Sequence, residues 1–144
     1  MLNIFKNKDK NKEGDEESNL IKIAALLIHA AKIDENYSEK EKLIIINFLK
    51  SVDLKIDFKK IMQKAEKDEE NSNQILEYTQ EIKKNNLEFK KDIIKILWTI
   101  ILSDNSSDIY ESTLMRRIAG LLYVPDKIIG ELKLEVLREN KQKL

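Results

Sequence analysis

The sequence has no cysteine, a single proline and three glycines. Without cysteine there is no disulfide, no thiol chemistry and no thiolate ligand for zinc. The scarcity of glycine and proline argues against a protein built from many turns and short strands, and favours helices. No apolar run reaches the roughly 18 residues that a membrane-spanning helix needs. We therefore expect a helical protein located in the cytoplasm of a bacterial cell.

An excess of one charge is also lacking, because 26 lysines and arginines balance 26 aspartates and glutamates. Such a chain has no overall field to attract nucleic acid, so we expect no nucleic-acid partner. The sequence contains no glycine-rich phosphate loop, no G-x-S-x-G and no H-E-x-x-H motif. It thus favours a non-enzymatic binding or scaffold module with protein partners. The alternative is a carboxylate-rich, all-helical, magnesium-dependent phosphohydrolase.

Helical periodicity is the main pattern that is present. From Asn19 onward, apolar residues recur at steps of three and four, and no segment alternates with a period of two. This pattern predicts an all-α, compact bundle of about seven helices. They are expected at residues 20–33, 38–51, 57–67, 74–84, 87–102, 108–122 and 126–139, with a polar break at 67–73. The predicted core includes Leu27, Ile44, Phe48, Leu97, Trp98, Met115 and Ile118.

The start of the chain differs from the rest. It carries charges of both signs and almost nothing apolar after Phe5. Such a segment cannot bury enough surface to order itself, which predicts a disordered tail at residues 1–18 and one helical domain at 19–144. The apolar beginning of the tail, MLNIF, offers a weak peripheral anchor to a membrane or a partner.

Two stretches of the chain repeat one pattern of acids: KIDENYSEKEKLIII (Lys32–Ile46) and LSDNSSDIYESTLMR (Leu102–Arg116). Apolar residues on both sides also pair at the same offset, which predicts an internally duplicated helix–loop–helix unit. Two such amphipathic hairpins bury their apolar stripes by packing together. The aligned polar positions are Asp34 with Asp104, Ser38 with Asp108, and Glu41 with Glu111.

A capping box explains part of this pattern. Ser38 with Glu41, and Asp108 with Glu111, have the spacing at which the cap oxygen accepts a backbone N–H and the later carboxylate reaches back to the cap. A carboxylate in the first turn also suits the positive end of the helix dipole. Glu41 and Glu111 therefore have a complete structural explanation.

Asp34 and Asp104 are not explained by capping. Each follows a predicted helix, where a carboxylate opposes the negative end of the dipole by about 0.3–1 kcal/mol. One partner for each is the backbone of its own turn, with which aspartate readily forms hydrogen bonds. The other is calcium or magnesium, because these hard ions take several oxygen ligands. Both explanations stay open, and the candidate metal ligands are Asp34, Glu41, Asp104, Asp108 and Glu111.

The chain resembles the TerB-like, tellurite-resistance-associated family of bacterial proteins. LIKIAALLIHAAKIDENYSEKEKLIIINFL and IIKILWTIILSDNSSDIYESTLMRRIAGLLYVPDKIIGELKLEVLRE are similar to the two halves of the family domain. The family signature, A-D-G-x-[IL]-x-x-x-E, twice closes a helix rich in alanine and leucine. The resemblance implies a compact all-helical domain and links to bacterial stress and membrane-associated complexes. It also implies divalent-metal binding by the acids that match the signature: Asp34, Glu41, Asp104 and Glu111.

The chain departs from the family pattern around both loops. The signature glycine is Glu35 in the first copy and Asn105 in the second, and of these two residues asparagine tolerates a left-handed backbone better. A glutamate that precedes the loop in the family is replaced by His29 and by Thr99. His29 is expected to be a packed or half-exposed residue, because no set of base and nucleophile surrounds it.

Overall fold

The computed structural model describes residues 13–33, 37–53, 55–71, 75–104 and 109–142, and their side chains except those of 13–16, 104 and 109–112. Seven α-helices lie in these ranges and none of the described residues forms a strand, which confirms the all-α prediction. The helices are α1 (Glu13–Ala31), α2 (Glu39–Val52), α3 (Phe58–Asn71), α4 (Leu76–Lys83), α5 (Leu87–Ile101), α6 (Ile109–Leu122) and α7 (Asp126–Gln142), and a short 3-10 helix (Leu102–Asp104) follows α5.

Helix α1 lies at the centre of the bundle, where it packs against α2, α3, α4 and α5. Its residues Ala24 to Ile28 are all fully buried, so this part of the helix is enclosed on every side rather than along one stripe. Helix α5 packs against α2 and α7 as well as α1, and it supplies the second large share of the core. These two helices are the ones that the predicted internal duplication aligns; the duplication itself stays a prediction.

Helices α1 and α3 extend into the stretches that the sequence predicted as a tail and as a polar break. Helix α1 begins at Glu13, inside the predicted tail, and its Glu17 Oε1 lies 3.1 Å from Lys60 Nζ of α3. Helix α3 continues through most of the stretch that was predicted as a polar break. Each extension is paired with the other helix: Glu17 with Lys60 of α3, and Glu69 with His29 of α1. A pattern of apolar residues does not reveal such ion pairs. Residues 1–12 of the predicted tail lie outside the described residues.

The buried face of α2 is rotated slightly from the prediction, because Ile45 replaces Ile44 while Phe48 stays buried. Six of the seven predicted core residues are buried, but Ile44 is only half-buried, and Ile45 takes its place with 0% of its surface exposed. The neighbouring Leu43 is 57% exposed. Ile45 lies one turn after the buried Glu41, so the two side chains share one face of α2. The capping contact of Glu41 and the packing of Ile45 therefore indicate the same rotation of the helix.

A buried hydrogen bond and a tight turn hold the last helices. Trp98 Nε1 of α5 donates to Ile129 O of α7 at 3.1 Å, in the core as predicted. After α6, Tyr123 adopts a left-handed backbone conformation with φ 58°, and the N–H of Val124 donates to Ala119 O at 3.0 Å. This combination is a Schellman motif, and it ends α6 where the sequence predicted.

Candidate functional site

The start of α2 is fixed by the capping box that the sequence predicted. Ser38 Oγ accepts the N–H of Glu41 at 3.2 Å, and Glu41 Oε1 accepts the N–H of Ser38 at 2.8 Å. Only 6% of Glu41 is exposed. Of the five candidate metal ligands, Glu41 is the one whose side chain is described, and its carboxylate takes part in beginning the helix.

Glu69 of α3 binds the end of α1. Its Oε1 lies 2.7 Å from Lys32 Nζ, and its Oε2 lies 3.3 Å from His29 Nδ1. Only 11% of the Glu69 side chain is exposed, against 30% of His29 and 33% of Lys32, so the carboxylate is largely shielded from solvent. The half-exposed position of His29 agrees with the prediction, and the structure adds Glu69 as its partner.

Glu66 of the same helix binds the start of α2. Its Oε2 accepts the Tyr37 hydroxyl at 3.1 Å and lies 3.3 Å from Lys42 Nζ. Burial raises the pKa of the Tyr37 phenol, and the charge and hydrogen bond of Glu66 raise it further. The phenol is therefore a hydrogen-bond donor at physiological pH.

Together, the two acids hold the segment that joins α1 to α2. Glu66 and Glu69 lie one turn apart on α3 and therefore on one face of that helix. We call this segment the first acidic loop (residues 32–38), and the six side chains the carboxylate clamp (Glu66 and Glu69 with His29, Lys32, Tyr37 and Lys42). Lys32 Nζ also lies 6.0 Å from the centre of the Tyr37 ring, across the loop. Asp34 itself lies outside the described residues.

Lys40, in the first turn of α2, contacts the start of a second acidic loop (residues 102–108). Its Nζ donates to Ser103 O at 2.8 Å, in the 3-10 helix that follows α5. The start of α2 and the end of α5 therefore lie at one end of the bundle, which we call the acidic end. A cation beside the last carbonyls of α5 suits the negative end of its dipole.

The other candidate ligands are described less fully. Asp104 is placed in the 3-10 helix and Glu111 in α6, but their side chains are not described, and Asp108 lies outside the described residues. Among the residues that the structure does describe, no three histidine, aspartate or glutamate side chains are close enough to hold one metal ion. The proposed ligand set thus stays a prediction.

Sequence reasoning did not identify the clamp acids, because it ended this helix at residue 67 and treated residues 67–73 as a polar break. A signal for them was present. Met62 and Ala65 belong to the buried stripe of α3, and Glu66 and Glu69 follow them by one helical turn each. Acids that continue a buried stripe face the neighbouring helices instead of solvent, so a partner for each was to be expected.

The comparisons with known proteins agree with the fold. Residues 20–134 match the family model described as tellurite resistance protein TerB, which covers most of the chain. No curated protein and no solved structure matches the sequence. No helix among the described residues is long and apolar enough to cross a membrane.

Proposed function

The chain belongs to the TerB family, and on that premise we propose that it is a non-enzymatic binding module whose contact surface is the acidic end of the bundle. Its ligands on this proposal are a divalent cation and a protein partner. The partner belongs to a stress response or a membrane-linked complex of the bacterial cytoplasm, as the family resemblance suggests.

The observation that carries the proposal is the carboxylate clamp. Its charged side chains are engaged in pairs that join three helices, and they do not converge on one point where a reaction could occur. Such pairing is how a protein fixes the backbone of a loop before a ligand arrives. The clamp therefore supports a prearranged binding surface over a reaction centre.

The charges around the acidic end favour a cation as one ligand. Lys40 already brings an ammonium group to Ser103 O, so this end of α5 accommodates a positive charge. Glu41 fits a metal poorly, because its carboxylate is buried and caps α2. The proposed ligands are accordingly Asp34, Asp104, Asp108 and Glu111, with Glu41 as a capping residue. Bound calcium or magnesium would supply charge neutralisation at the loops.

Thermal unfolding with calcium, with magnesium and with a chelator tests the cation. An ion at about 100 times its dissociation constant stabilises its site by about 2.7 kcal/mol, which raises Tm by roughly 5–10 °C in a domain of this size. Asp34→Asn and Asp104→Asn should each reduce the shift, and Asp104→Asn more strongly because two further acids follow it in the second loop. Glu131→Gln, which removes an exposed carboxylate of α7, is the matched control.

The same variants test the remaining parts of the proposal. An unchanged Tm in the wild type, or a shift that survives in the Asp34→Asn/Asp104→Asn double variant, would contradict the cation site. Magnesium-dependent hydrolysis of nucleotides or phosphoesters, abolished by Asp34→Ala or Asp104→Ala, would instead establish the phosphohydrolase alternative. A partner captured by the wild type and by Glu131→Gln, but not by the double variant, would support binding through the acidic end.

A further inference from the structure

We infer that Glu66 and Glu69 of α3 are positioning residues, which set how far apart and in which orientation the two ends of the first acidic loop are held. The inference deepens the proposed function, because it assigns control of the binding surface to a helix that supplies none of its proposed ligands. It rests on the contacts that the two acids make with His29 and Lys32 on one side of the loop and with Tyr37 and Lys42 on the other.

The two acids contact opposite sides of the loop. Glu69 contacts residues that precede Asp34, and Glu66 contacts residues that follow it. Because both acids belong to one rigid helix, they fix the two sides relative to each other as well as to α3. A single acid could hold one side and leave the other to move.

The contacts are also distant along the chain. Glu69 lies 40 residues from His29, and Glu66 lies 29 residues from Tyr37. Local turn chemistry therefore does not account for how the loop ends are held; the packing of α3 against α1 and α2 does. Any ligand that binds the loop in this arrangement must also favour the docked position of α3.

The burial of the acids makes the clamp sensitive to charge. Glu69 is the most shielded of the clamp members that form ion pairs, and removing its charge leaves Lys32 and His29 facing a neutral amide in a partly desolvated site. Glutamine keeps nearly the same volume, so Glu69→Gln removes the charge while leaving the packing of α3 intact. Glu66→Gln is the equivalent change on the other side, where the amide oxygen can still accept the Tyr37 hydroxyl.

Amide hydrogen exchange on the metal-free protein tests the inference. Loss of one charge-assisted contact should speed local amide exchange by about tenfold, because this contact stabilises the closed state and local opening becomes easier without it. Exchange over residues 32–38 should accelerate in Glu66→Gln and in Glu69→Gln, and most in the double variant, while α5 and α7 remain protected. Glu70→Gln is the matched control, since Glu70 is an exposed acid on the same helix.

The outcomes separate this inference from the proposed function. If exchange over residues 32–38 matches that of Glu70→Gln, or if it rises equally in all helices, the positioning role is overturned. If exchange accelerates locally and the wild type binds neither calcium nor magnesium, the positioning role stands and the cation proposal fails. If the wild type binds the cation, the clamp variants should bind about tenfold more weakly, as expected when a residue behind the ligands is lost. Unchanged affinity together with unchanged exchange would remove the positioning role alone.

Discussion

Truncating Leu43, Ile44 and Ile45 to alanine, one at a time, measures which face of α2 is buried. Ile45 is fully buried, so its loss removes three buried carbons at about 0.8 kcal/mol each and leaves a cavity. The expected cost is about 3–4 kcal/mol. Ile44 is half-buried and should cost about half as much. Leu43 is 57% exposed, and the loss of its few contacts is nearly offset by the higher helix propensity of alanine.

Urea unfolding followed by far-UV circular dichroism gives the three free energies of unfolding from one type of experiment. The slopes against urea should be equal, because the variants expose the same surface when they unfold. A parallel thermal scan should lower Tm by about 3 °C for each kcal/mol lost. If Ile44→Ala costs as much as Ile45→Ala, or more, then the rotation of α2 is wrong. The burial of Glu41, one turn before Ile45, would be refuted with it.

Two further variants test other contacts. In the wild type, the raised pKa of the Tyr37 phenol means that the folded protein holds this proton more tightly than the unfolded chain does. The contribution of this proton to stability is fully present below the unfolded pKa of about 10 and is lost as the pH rises further. The free energy of unfolding of Tyr37→Phe should therefore fall less steeply with alkaline pH than that of the wild type. Equal slopes in urea titrations at pH 9 to 11 would contradict this. Trp98→Phe removes a buried hydrogen bond and leaves a cavity, so it should lower the free energy of unfolding by about 2 kcal/mol, as measured by circular-dichroism melts. A loss below about 0.5 kcal/mol would argue against the contact between α5 and α7.

The helices could be predicted because their signals are local. Alternating steps of three and four placed α2 at 38–51, and the structure has it at Glu39–Val52. The capping box was predictable for the same reason, since Ser38 and Glu41 are three residues apart and need no information from the rest of the chain. A helix or cap that is specified by residues within one turn can therefore be predicted from a single sequence.

The rotation of α2 was not predictable from its own residues. Residues 43–46 read Leu-Ile-Ile-Ile, so every face of this turn is apolar, and periodicity cannot choose between them. The left-handed Tyr123 is a second example, because glycine or asparagine is usual at that position of the motif. Its side chain is exposed, and Lys83 Nζ lies 4.4 Å from the ring centre, so tertiary surroundings accompany a conformation that the residue itself disfavours.

The two acidic loops show why a repeat in sequence need not give equivalent sites. Each loop places an aspartate after a helix, where positive charge is needed. At the end of α1, the basic residues His29 and Lys32 come from the same segment, but both contact Glu69. The last turn of α5 contains no basic residue, and Lys40 reaches its end from α2. The basic residues at the end of α1 are thus paired with a carboxylate of α3, whereas the end of α5 receives a lysine from a different helix. A cation that binds the second loop therefore takes the place of the Lys40 ammonium group at Ser103 O, whereas at the first loop His29 and Lys32 are already paired with Glu69.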